Sequence, residues 1–385
     1  MILNNVKMIG EHEPVNVRVA NGKIAQIANT AFIRTANPLN ITFKDAIIFP
    51  GLINSHDHLD FNLFPQLGDK TYNNYTEWGK YIHHHYKTEI AGVLNIPVLL
   101  RSEWGVFKNL LCGVTTVINH GESSRLTSDL ISIFEDTQSL HSVMFEKHWK
   151  IKLNNPLKKL PVTIHVGEGS DWLAFEEINQ LIRYNLLKKK LIGIHAVAMA
   201  EDQAKKFEAL VWCPESNYFL LNKTARVDTL KNYSTLLFGT DSTLTGSWNI
   251  WEHLKLAKKT KLLNDKELYD TLTLNPAKIW KLNTGEIAEG KDADMVIARI
   301  KQNENGYKNF FATEPEDLLM VIHKGNIRLF DESILPQLNE IDLSIFSKVY
   351  MNGICRYIQG DLPELMEKIR QYQPSVNFPV NNQPD

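Results

Sequence analysis

The sequence predicts an α/β fold, a (β/α) TIM-like barrel with a small β-sandwich domain built from both ends of the chain. In the middle of the 385-residue chain, short apolar strands alternate with helical stretches, which is typical of a parallel α/β architecture. Polar residues gather at the C-terminal ends of those strands, where barrels keep their sites. The two chain ends differ, since they contain strands joined by tight turns.

The terminal strands predict a discontinuous small β domain. VNVRV and KIAQI flank Asn21-Gly22, and Asn-Gly between alternating strands is a strong hairpin signal. DMVIARI (293–299), the stretch 319–330 and the stretch 349–358 repeat this pattern near the C-terminus. We therefore expect residues 1–47 and 285–385 to form the small domain, and residues 48–284 to form the central barrel.

The central strands number seven, one fewer than a full barrel needs. Helical patterns at 96–111 and 124–138 separate the first three strands, and further helical stretches lie between 166 and 236. The barrel either lacks one strand–helix unit between 120 and 160 or replaces it with irregular chain. The strands are IIFPGLIN (47–54), VTTVIN (114–119), HSVMFEK (141–147), VTIHV (162–166), LIGIHAV (191–197), LVWCP (210–214) and LLFGTD (236–241).

Composition and charge exclude several classes of partner. The net charge is −2 without long runs of one sign, which argues against nucleic acid and against an anionic membrane surface. The cysteines are three, far apart and without a CxxC pair, which favours a reducing compartment. No apolar run has the length of a signal peptide or a membrane span. We expect a cytoplasmic protein that acts on a small molecule.

Metal-competent side chains end four of the central strands. His56 and His58 are two residues apart in a strand, so both side chains can face the barrel mouth. His165 and Asp241 can complete a shell that suits one catalytic Zn²⁺ and also Fe²⁺ or Mn²⁺. Taken singly, an HxH pair can be a solvated strand end, and Asp241 can cap a helix. Their coincidence at one end of the strands favours a site.

Motifs in this order resemble the amidohydrolase superfamily of metal-dependent hydrolases. The resemblance is strongest to the branch with cytosine, guanine and S-adenosylhomocysteine deaminases and the triazine hydrolases. The motifs are PGLINSHDHL (50–59), GVTTVINHG (113–121), IHVGEG (164–169), GIHAV (193–197), CPESN (213–217), GTDS (239–242) and NPAKIWKL with GEIAEGKDADMVI (275–297). Trp212 departs from the pattern, because relatives often have a histidine before CP.

The resemblance implies a role for each matched residue. His56, His58, His165 and Asp241 would hold one divalent metal, and Asp241 would also accept a proton from water. Glu168 would be a general acid, and His195 would hydrogen-bond the attacked centre. Binuclear relatives bridge two metals with a carboxylated lysine, for which Lys147 is the nearby candidate. The position of Glu168 favours one metal, which leaves Lys147 as an ion-paired strand-end residue or a substrate contact.

A long segment after His58 is predicted to overhang the mouth of the site. Tyr72, Tyr75, Trp78 and Tyr81 recur every three residues and share one face if helical. Trp78 and Tyr81 are therefore candidate substrate-binding residues, and local packing of the segment is the alternative. His83, His84 and His85 cannot share one face, so we interpret them as a solvated run.

The predicted reaction is attack of metal-activated water on an sp² carbon of a C–N bond, as in deamination of a heterocyclic or amidine-like substrate. Alternatives are ring opening of a cyclic amide, as in imidazolonepropionase-like relatives, and chlorohydrolysis of the triazine type. A non-catalytic scaffold is the alternative from another class, but scaffolds of this superfamily usually lack part of the shell. Relatives often pair, so a homodimer is one option for assembly.

Overall fold

The computed structural model describes residues 1–11, 13–32, 39–121, 126–301 and 306–384. Its strands are β1 Ile2–Met8, β2 Pro14–Ala20, β3 Lys23–Ala28, β4 Asn40–Pro50, β5 Leu52–Asp57, β6 Val114–Asn119, β7 Ser132–Phe134, β8 Gln138–Ser142, β9 Val162–Val166, β10 Leu191–His195, β11 Ala209–Trp212, β12 Thr235–Phe238, β13 Met295–Arg299, β14 Leu318–His323, β15 Asn326–Asp331, β16 Phe346–Met351 and β17 Ile354–Gln359.

The helices lie mainly between the central strands. They are α1 Tyr75–His85, α2 Lys87–Leu94, α3 Val98–Leu111, α4 Trp149–Leu153, α5 Trp172–Tyr184, α6 Glu201–Ala204, α7 Pro214–Leu221, α8 Val227–Leu230, α9 Ile250–Thr260, α10 Asp265–Asp270, α11 Leu274–Trp280, α12 Gly306–Ala312 and α13 Leu362–Tyr372. Short 3₁₀ helices cover Leu59–Phe61, Pro315–Asp317, Glu332–Gln337 and Leu343–Ile345. No single helix in the described ranges is long and apolar enough to cross a membrane, although the bent pair α2 and α3 passes by length and composition.

Strands from both chain ends form one nine-stranded sheet, in the order β16-β17-β15-β14-β13-β4-β1-β2-β3. The two ends meet where β4 pairs antiparallel with β13, with Phe49 opposite Val296. The predicted hairpin is confirmed, since β2 and β3 are joined at Asn21 and Gly22, which have φ of 51° and 74°. Positive φ at both central residues is what a type I′ two-residue hairpin turn requires, and Asn-Gly adopts it at low cost.

The central strands form two parallel sheets, β5-β6-β7 and β12-β11-β10-β9-β8. The α/β class with parallel strands is therefore confirmed. Backbone bonds join the sheets at β5 and the end of β12, because the Thr240 and Asp241 N–H groups both donate to the His56 carbonyl over 3.1 Å. The apolar stretch 47–54 is divided at Gly51, so that β4 belongs to the nine-stranded sheet and β5 to the parallel one.

The region between 120 and 160 differs from the sequence prediction. The stretch 124–138, interpreted as a helix, contains the short strand β7, and three residues connect β7 to β8. The described parallel strands thus number eight rather than seven, and what is absent from residues 126–137 is a helix, not a strand. The strand β8 also ends at Ser142, five residues before the predicted end. Short apolar runs such as LISIF suit either structure, because they are too short for their period to be decisive.

Candidate metal centre and its cavity

The end of β5 places two histidines side by side. His56 and His58 are two residues apart and lie on the same side at the end of the strand, and their ring centroids are 4.9 Å apart. Asp57, between them, points away and is fully buried. The alternation of side chains along a strand produces both results, and it gives β5 two imidazoles facing one point.

The other predicted ligands converge on that point. The Nε2 atoms of His56 and His165 are 3.1 Å apart, and Asp241 Oδ1 lies 3.6 Å from His56 Nε2 and 3.7 Å from His58 Nε2. Ligands at about 2.0–2.2 Å from one tetrahedral ion are separated by roughly these distances. Three groups could hold a metal, and each combines three of His56, His58, His165, His195, Glu168 and Asp241.

The catalytic candidates Glu168 and His195 lie in the same cluster. Glu168 Oε1 is 3.6 Å from His195 Nε2, and both side chains are buried. His195 and Asp241 have φ of 73° and 58°, in the left-handed region that residues other than glycine rarely adopt. Such strained backbone recurs at functional sites, where it aims a side chain that a regular strand would direct elsewhere.

Residues of the CPESN motif donate hydrogen bonds that orient Asp241 and His195. Ser216 Oγ donates to Asp241 Oδ2 over 2.8 Å, and Thr245 Oγ1 donates to the same oxygen over 3.1 Å. The amide of Asn217 donates to His195 Nδ1 over 2.9 Å, which leaves the proton of His195 on Nε2, facing Glu168. The motif was visible in the sequence, but the roles of its residues were not. Trp212, just before it, is buried and donates to Thr224 Oγ1 over 2.6 Å.

A buried polar network fixes the back of β5. Lys108 Nζ on α3 contacts Asp57 Oδ2 at 3.0 Å, and amides of Asn62 and Asn109 donate to Asp57 over 2.8 Å and 2.7 Å. Asn54 bridges Asp57 to Thr240 Oγ1 at 2.8 Å, just before Asp241. This network joins β5, α3 and the end of β12, and so sets the distance between the histidine pair and Asp241.

Burial dominates the electrostatics of the cluster. It lowers the pKa of His58 to about 4 and of His195 to about 3, which leaves both imidazoles neutral and able to bind a metal. Burial, with Asp241 and Glu177 nearby, raises the pKa of Glu168 well above its usual value. Burial alone would also raise the pKa of Asp241, but its hydrogen bond and charge interaction with His56 outweigh it and hold that pKa well below the usual value.

Two further histidines belong to this region and were missed in the sequence. His120 follows β6, is buried, and has its ring centroid 4.5 Å from that of His165 and 5.1 Å from that of His56. Its Nε2 atom has no hydrogen-bond partner. His141, in β8, lies 5.1 Å from His165 by ring centroids. Both stand at the C-terminal ends of their strands, a signal that could have identified them.

A cavity of about 520 Å³ opens onto the cluster. His58, His165, Glu168, His195 and Asp241 line it together with His141. Helices α1 and α2 of the segment after His58 cover the cavity. Tyr75, Trp78 and Tyr81 lie in α1 as predicted, whereas Tyr72 precedes the helix. His83 also lines the cavity, but His84 and His85 do not.

The three predicted substrate contacts have different positions. Trp78 lines the cavity. Tyr81 packs against Tyr72 and hydrogen-bonds Asp69 through its hydroxyl at 2.8 Å, outside the lining. Lys147 is exposed and is not among the residues that line the cavity. Of the three, only Trp78 therefore lies on the wall of the cavity.

Comparison with known proteins finds a match to one family of hydrolases over part of the chain. Residues 157–328 match the model of the amidohydrolase family. The chain is 22% identical to a 5′-deoxyadenosine deaminase of Methanosphaera stadtmanae, over 85% of this chain and 92% of that protein. It is 24% identical to a 5-methylthioadenosine/S-adenosylhomocysteine deaminase of Pyrococcus abyssi, a match that spans 45% of this chain and 47% of the relative.

Solved structures agree on the fold. An adenosine deaminase from Xanthomonas campestris with bound zinc superposes with a TM-score of 0.72 and 17% identity, over 97% of this chain and 98% of that one. The atrazine chlorohydrolase TrzN from Arthrobacter aurescens, complexed with zinc, gives a TM-score of 0.66 and 15% identity, over 85% and 94% of the two chains. The match over residues 157–328 is to the same family that the sequence motifs resemble.

Proposed function

We propose that this protein is a metal-dependent hydrolase that removes an amino group from an sp² carbon of a heterocyclic or amidine-like small molecule. One observation carries the proposal: three imidazoles and a carboxylate converge beside the buried acid Glu168 on the wall of a substrate-sized cavity. The amidohydrolase match and the deaminase relatives support the same reaction class. No feature of the described residues favours a non-catalytic scaffold, because every predicted ligand position is filled.

His56, His58, His165 and Asp241 would hold one divalent ion. The residues fit such an ion, since His56 Nε2 lies 3.1 Å from His165 Nε2 and Asp241 Oδ1 lies 3.6–3.7 Å from the Nε2 atoms of His56 and His58, which are separations expected between ligands of one ion. Zinc is the first choice, and iron and manganese suit the same ligands. When bound, the ion makes a water molecule acidic enough to act as a nucleophile near neutral pH.

The chain's own residues move the protons and orient the substrate. Asp241 stays ionised and can take a proton from the attacking water. Burial raises the pKa of Glu168 well above its usual value, which favours the protonated acid that can donate to a ring nitrogen or to the leaving amine. His195 donates from Nε2, because Asn217 occupies its Nδ1, and can polarise the carbon under attack.

The fold and setting complete the proposal. We infer that the eight parallel strands form a (β/α) barrel over residues 48–284, and that residues 1–47 and 285–385 form the small β domain. The bonds between β5 and the end of β12 support this closure. We also propose a cytoplasmic location and a homodimer, both of which rest on the sequence analysis alone.

Chlorohydrolysis is the second candidate, because the zinc-bound triazine hydrolase shares this fold. Ring opening of a cyclic amide would use the same groups. Assays of ammonia release from purines, pyrimidines and pterins, of chloride release from chlorotriazines, and of cyclic-amide cleavage separate the three reactions. Ammonia release supports the proposal, and chloride release or amide cleavage without it contradicts the proposal.

Substitution of Glu168 tests the acid role. Glu168→Gln should keep the metal content of the wild type and lose about 10²–10⁴ of turnover, since only proton transfer is removed. Full activity in this variant would show that Glu168 is not the acid.

Substitution of Ser216 tests the support of the ligands. Ser216→Ala should lower metal affinity about 10–100-fold, because the Asp241 carboxylate loses a hydrogen bond that orients it. Metal affinity is measured by competition with a chelator, and an unchanged affinity would contradict this role.

A further inference from the structure

The cavity wall beyond the imidazole–carboxylate cluster is apolar. Phe64, Ile82, Ile90, Leu94, Phe145 and Leu244 line it. Most of them come from α1, α2 and the turn after β8, elements that do not carry the metal-competent residues. The cavity therefore has a small polar end, which is the imidazole–carboxylate cluster and is called the polar pole below, and a larger apolar wall.

The aromatic residues with polar atoms do not offer those atoms to a ligand. Tyr75 donates its hydroxyl proton to Glu177 Oε2 at 3.0 Å, and Trp78 donates its indole N–H to the Leu67 carbonyl at 2.6 Å. Both residues line the cavity, but their polar atoms are engaged within the protein. What remains for a ligand is their ring surface.

The remaining polar residues of the lining either lie beside the cluster or are exposed. Ser242 follows Asp241 and donates its N–H to Asp241 Oδ1 over 2.9 Å, and the His141 ring is 5.1 Å from that of His165. Lys80 and His83 are exposed, so their polar ends can stay in water. Thr245 donates to Asp241. A ribose inserted against the apolar wall would lose water from its vicinal hydroxyls without gaining partners there, which is unfavourable.

We propose that the substrate is a flat heterocyclic amine bearing an alkyl or aryl substituent, and that the protein discriminates against the same ring bearing a sugar. This inference rests on the proposed function for the position of the ring. The reacting carbon would lie at the polar pole, and the substituent would lie against Phe145, Ile82 and Leu94. Burying an apolar group of this size in place of a polar one favours binding by about tenfold or more.

Calorimetric titration of 9-benzyladenine and adenosine tests the inference. Both molecules carry the same amino-purine, and only the substituent at the ring differs. The zinc-loaded Glu168→Gln variant is used, so that turnover does not disturb binding. We expect benzyladenine to bind at least about tenfold more tightly than adenosine. Equal or tighter binding of adenosine, or no binding of benzyladenine below about 1 mM, overturns the inference.

A pair of exposed aromatic residues supplies the matched control. Phe145 is 46% exposed and lines the cavity, whereas Trp172 is 68% exposed and stacks on Phe175 away from it. In the same background, Phe145→Ala should reduce the preference for the benzyl compound at least about threefold, and Trp172→Ala should leave it unchanged. An unchanged preference in the Phe145 variant would also overturn the inference.

These experiments distinguish a failure of the proposed specificity from a failure of the proposed deamination. If the wild-type enzyme binds benzyladenine with the expected preference but releases no ammonia from any amine tested, the proposed deamination is wrong and the apolar specificity stands. If it releases ammonia and prefers the sugar-bearing ring, the specificity is wrong and the proposed function stands.

Discussion

Replacing Lys108 by methionine should strongly destabilise the protein. Lys108 and Asp57 are 1% and 0% exposed, and their charged atoms are 3.0 Å apart. Methionine fills a similar space without a charge, so Asp57 would remain as a buried carboxylate with no cation beside it. Breaking a buried pair from one side costs about 3–5 kcal/mol. The amides of Asn62 and Asn109 still donate to Asp57. We therefore expect the free energy of unfolding to fall by about 3 kcal/mol, the lower end of that range.

Urea unfolding of metal-free protein measures this loss without a contribution from metal affinity. Lys266→Met is the control, because Lys266 is exposed where it pairs with the half-buried Asp270, and the loss of such a surface pair costs at most about 1 kcal/mol. The double variant Asp57→Asn with Lys108→Met should recover at least about 1 kcal/mol relative to Lys108→Met, since no charge is then left buried. A loss below about 1 kcal/mol in the single variant would refute the reasoning.

The remaining predictions concern a buried acid and a tight helix contact. Burial raises the pKa of Glu177 from 4.5 to about 7, so its stabilisation is present below pH 4.5 and is lost as pH rises through 7. Between pH 5.5 and 8.5 the free energy of unfolding of the wild type should fall by about 2 kcal/mol relative to that of Glu177→Gln. Urea unfolding at several pH values measures both proteins, and an equal pH dependence in the two would contradict this prediction. A Cβ at Gly105 would overlap the Leu59 carbonyl, so Gly105→Ala should destabilise by about 2 kcal/mol or more. Gly92→Ala in α2 faces only the flexible side chain of Gln373 and should be neutral or stabilising; equal losses in thermal unfolding would rule out the packing argument.

Much of the candidate site could be predicted because its residues stand at the ends of strands. A strand's end is a local feature, and parallel strands bring such ends to one edge. His56, His58, His165 and Asp241 were predicted in this way, and the structure places them together. Whether they bind a metal stays a prediction.

The features that sequence reasoning missed depend on distant contacts. Lys108 has the pattern of a surface residue on a helix, and only the approach of α3 to β5 shows that it pairs with Asp57. The strand β7 has three residues, too few for a period to identify, and it exists because it pairs with β6. His141 was hidden because its strand was placed too far along the chain. Lys147, predicted as a substrate contact from that same strand, is exposed beyond its end.

Metal analysis of the gently purified protein tests the central claim most directly. The account predicts about one equivalent of zinc, iron or manganese per chain, and a loss of most of it in the variant His56→Ala with His165→Ala. An exposed-histidine variant, His84→Ala, should keep the wild-type content. Less than about half an equivalent in the wild type, or an undiminished content in the double variant, would contradict the assignment of the site.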